Sequence, residues 1–150
     1  MAKDADFVPG SLHLRKLSVG SESVDSMIAW QDMMRARRGG HIWHVTRSWP
    51  KRAEELLQGG SLYWIIKGVM VARQPIIGFE EHPPENPEDK PYCRIMLGDE
   101  VIKTHPWPHR PFQGWRYLKA EDAPPDLDGA GGDDQMPPEM AAELKALGLL

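Results

Sequence analysis

Two apolar runs that follow each other almost without a break, residues 62–67 and 69–79, constrain the fold of this chain more than any other feature. Both are rich in the β-branched and aromatic side chains that favour strands. Each is far short of the roughly 20 apolar residues needed to cross a bilayer. They read as two long, mostly buried strands, and Gly68 between them permits the tight turn of a hairpin. Pro75 cannot donate to a ladder, so it must fall at an edge or an irregularity.

The flanking segments supply further elements. Residues 11–17 alternate Leu12 and Leu14 with His13 and Arg15, the two-residue period of a half-buried strand. Ser23 is placed to cap a helix whose Val24, Met27, Ile28 and Met34 recur at three- and four-residue spacings, and Gly39-Gly40 stop it. Residues 41–47 read as a strand, and 50–58 as a short helix opened by Pro50 and ended by Gly59-Gly60. The charged, Pro-rich stretch 80–91 reads as a surface loop. Residues 92–97 and 100–104 are further strands, 105–109 (HPWPH) a rigid extended crossing unable to continue a ladder, and 112–118 a last strand. With no regular strand-helix alternation, the expected fold is α+β: a small, strongly bent or barrel-like mixed sheet with two or three helices.

Charge divides the chain. Residues 120–150 hold one Lys against eight Asp and Glu, whereas residues 11–119 hold sixteen Lys and Arg against twelve acids. The expected organisation is a flexible start (1–10), one globular domain (11–119), a disordered acidic linker rich in Pro and Gly (120–138) and a short C-terminal helix (139–150). The acidic pI therefore does not argue against a polyanion partner for the domain. The linker, including Asp126, Asp128, Asp133 and Asp134, is expected to act as a tethered polyanion competing for the basic surface. The lone Cys93 fits a reducing cytoplasm, and residues 1–10 lack the apolar stretch of a secretory signal, so a cytoplasmic protein is expected.

Two blocks carry a resemblance. One runs through His44-Val45-Thr46-Arg47, Trp49-Pro50, Gly59-Gly60-Ser61-Leu62-Tyr63-Trp64 and Lys67-Gly68 to Arg73-Gln74. The other is Arg110-Pro111-Phe112-Gln113-Gly114-Trp115-Arg116-Tyr117-Leu118 with Glu121-Asp122-Ala123-Pro124. Together they resemble an uncharacterised bacterial family of about this length whose function is unknown, which implies no catalytic residues. The order of a short helix closing on Gly-Gly, an aromatic strand and a strand returning through an Arg is also similar to the PUA-like barrels of the ASCH and EVE domains. That similarity implies binding of RNA or modified bases. The Gly-x-Lys-x-x-Glu-x-Arg motif of the ASCH branch is missing.

The residues themselves suggest one site. Arg47, Trp49, Lys51, Arg52, Lys67, Arg73, Arg110, Gln113, Trp115 and Arg116 combine cations for phosphates, indoles for stacking and an amide for a base edge. The leading expectation is non-catalytic binding of RNA or a modified nucleotide through this basic and aromatic surface. One alternative is a small-molecule binder or enzyme with His105, His109 and Trp115 converging in a pocket beneath the Pro-rich crossing. Another is an adaptor that engages a protein through Met140, Leu144 and Leu147. No cofactor is expected: His41-x-x-His44 on a strand points its rings to opposite faces, and neither HExxH nor a Cys pair is present. No phosphate loop or nucleophile elbow is present either.

Overall fold

The computed structural model describes residues 7–110 and 112–127. Its strands are β1 (Leu12–Leu17), β2 (Ile42–Thr46), β3 (Ser61–Ile66), β4 (Val69–His82), β5 (Tyr92–Leu97), β6 (Ile102–Pro108) and β7 (Trp115–Lys119). The helices are α1 (Val24–Arg37) and α2 (Ala53–Leu56), followed by a 3-10 turn at Ala120–Asp122. The fold is α+β, with all seven strands in one small mixed sheet. The sheet stays open rather than closing into a barrel: the order β2-β5-β4-β3-β1-β7 puts β2 and β7 at its two ends, while β6 lies off this path and pairs with β4.

The β3–β4 hairpin is the centre of the molecule. Its register runs from Ile66↔Val69 to Ser61↔Pro75, and its two turn residues, Lys67 and Gly68, both take positive φ (50° and 80°). Two left-handed positions match the twist of the flanking strands. All six residues of β3 are buried because both faces are covered. Leu62, Trp64 and Ile66 pack with Leu12, Leu14 and Met27 on one face, while Tyr63 and Ile65 meet Met70 and Leu118 on the other.

β4 spans both ends of the sheet. Its first half lies between β3 and β6, and its second half pairs with β5. Pro75 falls where the β6 ladder has ended at Arg73 and the β5 ladder begins at Ile76, and its carbonyl accepts from Gly98 N–H at 2.8 Å. The irregularity its ring requires is thus the hand-over between two partners. β1 runs parallel to β3 and antiparallel to β7.

Helix α1 is capped as the sequence suggests: Ser23 and Ser26 form a reciprocal capping box, and Gly39 and Gly40 follow with positive φ. Its inner face carries one polar residue that apolar spacing does not reveal. Gln31 and Gln74, both buried, exchange amide hydrogen bonds of 2.9 and 2.8 Å. Gln74 also accepts from Trp64 Nε1 (3.1 Å) and donates to the Gly98 carbonyl (2.7 Å). With four bonds made by the Gln74 amide, this network pins α1 to β3 and β4.

Several boundaries differ from expectation. The helix expected over 50–58 is only α2, because Lys51 and Arg52 form a turn first. β4 continues to His82, which shortens the expected loop to residues 83–91. The largest correction concerns His105-Pro106-Trp107-Pro108, which remains in β6, with Trp107 opposite Met70 and Pro108 opposite Val69. The register shifts between Met70 and Ala72, so Pro106 falls in the skipped stretch and its missing N–H breaks no rung of the ladder. The last strand starts at Trp115 instead of 112. Residues 120–127, expected to begin the linker, lie on the domain. Pro124 is buried, His105 N–H donates to the Pro125 carbonyl and Leu127 N–H to that of Lys103. The rest of the expected linker and the C-terminal helix lie outside the described residues.

Candidate functional site

The two end strands of the open sheet, β2 and β7, come close together. Trp115 Nε1 on β7 donates to the Ser48 carbonyl just beyond β2 (2.9 Å), and the Tyr117 hydroxyl accepts from Arg52 N–H (3.1 Å). Between these tethers lies a cleft of about 850 Å³, floored by Lys16 of β1 and walled by Thr46, Arg47, Trp49 and Lys51 on one side and Gln113, Trp115 and Tyr117 on the other. Three cations line it and no carboxylate does.

Strand parity sets the walls. Leu12 and Leu14 of β1 face the main core, so Lys16, two residues on, points the same way and emerges at the cleft. Burial holds its ammonium below the usual lysine range. On β7, Trp115 and Tyr117 share that face and meet edge to face, with ring centres 5.0 Å apart. Arg116, between them, turns to the other face and lies over Phe112, 5.1 Å from its ring centre. Gly114 with φ +73 makes the turn that brings Gln113 over the opening. Trp49 remains 41% exposed beside it, and Thr46 Oγ1 steadies the turn by donating to the Ser48 carbonyl (3.1 Å).

Of the ten residues singled out from the sequence, Arg47, Trp49, Lys51, Gln113 and Trp115 meet in this cleft. Arg52 stands beside it but is committed to Glu55 through a fork of 2.6 and 3.0 Å. Arg73 is removed from the group: its guanidinium makes a two-pronged bond to Asp126 (2.7 and 2.8 Å) and a third to Ser61 Oγ (2.9 Å). The pair depresses the Asp126 carboxyl and raises Arg73. Asp126 is therefore a fixed structural partner and not part of a mobile polyanion. Lys67 pairs with Glu22 (2.8 Å) in the hairpin turn. Arg110 lies exposed beyond His109, whose N–H donates to the Gly68 carbonyl (2.8 Å). Lys16, Thr46 and Tyr117 are the residues missed, and the parity of β1 and β7 is the signal that points to Lys16 and Tyr117.

A second cavity, of about 440 Å³, opens where β1 ends against α1 and β2. Met27, Trp30, Trp43, His44, Trp64 and Leu97 are among its lining residues, and no charged side chain is. Val19 (85% exposed) and Trp30 (45% exposed) are lining residues open to solvent. Burial, reinforced by the charges of Lys16 and Arg38, lowers the His44 pKa to about 4, so the ring is neutral. The Trp43 indole lies within 4.3 Å of both the Arg38 and Arg94 guanidiniums.

Neither His105 nor His109 lines either cavity, so the expected convergence with Trp115 does not occur. Cys93 is buried, and its thiol is pushed up to about 11, which makes it a core side chain. Among the described residues no group of three or more His, Cys, Asp and Glu is placed to hold a metal ion, and no helix is long and apolar enough to cross a membrane.

No curated protein and no solved structure matches this chain. A family model does, over residues 14–150. It spans the residues that floor and wall the cleft, and the chain belongs to the family described as Protein of unknown function (DUF1489).

Proposed function

We propose that this domain binds single-stranded nucleic acid, RNA foremost, in the cleft between β2 and β7. The observation that carries this reading is the lining of the cleft: Lys16, Arg47 and Lys51 with Trp49 and Trp115, and no acid among them. Cations follow a phosphate backbone, and an exposed indole stacks on any base without reading its sequence. Among the described residues Lys16, Arg47 and Lys51 have no ion pair, so no carboxylate must be displaced to receive a phosphate. Arg73 and Lys67 are already engaged and take no part.

Anisotropy with labelled single-stranded RNA and DNA tests the reading, using the full chain at low and moderate salt. Trp49→Ala and the pair Arg47→Ala/Lys51→Ala are each expected to weaken binding by about tenfold, close to the value of one stacked base. Arg116→Ala, on the other face of β7, should bind like the unaltered protein. Absence of binding at low salt would overturn the proposal.

A further inference from the structure

The two cavities are neighbours on the same two strands. Lys16 of β1 and Val45 and Thr46 of β2 line the cleft, while Ser18, just past β1, and His44 of β2 line the second cavity. Two residues along a strand span about 6.6 Å, the scale of a single nucleotide. Lys16 also stands opposite Trp64 in the β1–β3 register, and Trp64 is a wall of the second cavity. Lys16 therefore marks the junction.

Their chemistries are complementary. The cleft is lined by three cations; the second cavity has no charged lining residue and is walled by Trp30, Trp43 and Trp64. Its size falls in the range of small-ligand pockets, about 300 to 1,000 Å³. Its shape-giving groups are flat. His44, neutral and edge-on to Trp64 at 5.3 Å, makes no hydrogen bond among the described residues, so one ring N–H donor and one ring acceptor remain for a ligand. A planar, uncharged heterocycle with a donor and an acceptor on its edge matches that surface, and an attached phosphate would then meet Lys16.

We infer that the second cavity receives one everted base of a strand whose backbone lies in the β2–β7 cleft, with Trp30 at its mouth and His44 reading its edge. The inference rests on the cleft reading, and it turns a sequence-tolerant groove into a site that selects a base.

The experiment follows the indole N–H signals of the six tryptophans by NMR while a single-stranded RNA oligonucleotide is added to the full chain. Shifts are expected at Trp49 and Trp115 from the cleft and also at Trp30, Trp43 and Trp64 from the cavity. Trp30→Ala removes a ring that is 45% exposed, so the fold should survive. It should weaken binding by about tenfold, the value of one stacked base, and His44→Gln should change the preference among oligonucleotides of different base composition. Both should leave the salt dependence unchanged. Shifts confined to Trp49 and Trp115, with unaltered affinity in Trp30→Ala, would overturn the base cavity and leave the cleft reading standing. No shift anywhere would overturn both.

Discussion

At the scale of single residues, His44 couples the candidate site to stability. In the unfolded chain an imidazole titrates near its ordinary value of 6.5, whereas in the fold His44 stays neutral down to about 4. Between those values the unfolded chain takes up a proton that the folded one refuses. Stability from this group is therefore complete above about pH 6.5 and falls as pH drops toward 4, by up to about 3 kcal/mol. His13, also lowered by burial and by Arg73, acts in the same direction. Melting temperatures near neutral pH and near pH 4.5 should show a smaller acid-induced fall in His44→Gln than in the unaltered protein; equal falls would contradict the assignment. A second prediction concerns Arg73. Asp126→Asn leaves its half-buried guanidinium without the charge that holds it, and both partners are partly exposed. A loss on the order of 1 kcal/mol is expected, read as a drop of about 3–6 °C in Tm. The composition of residues 120–138 points to a solvated segment, and the contacts of Pro124, Pro125, Asp126 and Leu127 with the domain show that its first part is anchored.

The elements show why some of the fold was legible and some was not. Gly59-Gly60 was readable as a stop, and its geometry explains the pair. Gly59 has φ +85, and a Cβ on Gly60 would press on the carbonyl oxygens of Leu56 and Leu12, the latter at 2.8 Å. Backbone atoms at that distance cannot move aside. Gly60→Ala should destabilise by on the order of 2 kcal/mol, measurable by urea unfolding, and an unchanged midpoint would refute the close approach. The hairpin, α1 and β5 were legible because burial periodicity and turn chemistry agree there. β6 was not, since two prolines in HPWPH argue locally against a ladder; the register shift between Met70 and Ala72 leaves Pro106 off the rungs, and Pro108 sits opposite Val69 at the end of the pairing. The site was half legible for a similar reason. Residue type picked out Trp49 and Trp115, but type does not show that Arg73 is engaged by Asp126 or that Lys16 faces the cleft. Those facts depend on pairing between distant segments.

At the scale of the whole molecule, the proposed binding should respond to salt through the three cations of the cleft, Lys16, Arg47 and Lys51. Neutralising three phosphates on a single strand releases counterions so that the logarithm of the binding constant should fall with the logarithm of salt at a slope of about −2. Lys51→Ala should reduce that slope by about 0.7, whereas Trp49→Ala should lower affinity at an unchanged slope. A slope near zero would mean that Lys16, Arg47 and Lys51 do not meet phosphates. The pairing of β1 has a further consequence, in time. Leu14 stands opposite Leu62 on one side and Tyr117 on the other. A ribosome adding about 5–20 residues per second exposes β1 several seconds before β7 exists. Until then the strand carrying Lys16 lacks its outer neighbour, and the wall formed by Gln113, Trp115 and Tyr117 has not been made. A nascent chain therefore has no cleft, and the proposed ligand capture can begin only after nearly all of the domain has been synthesised.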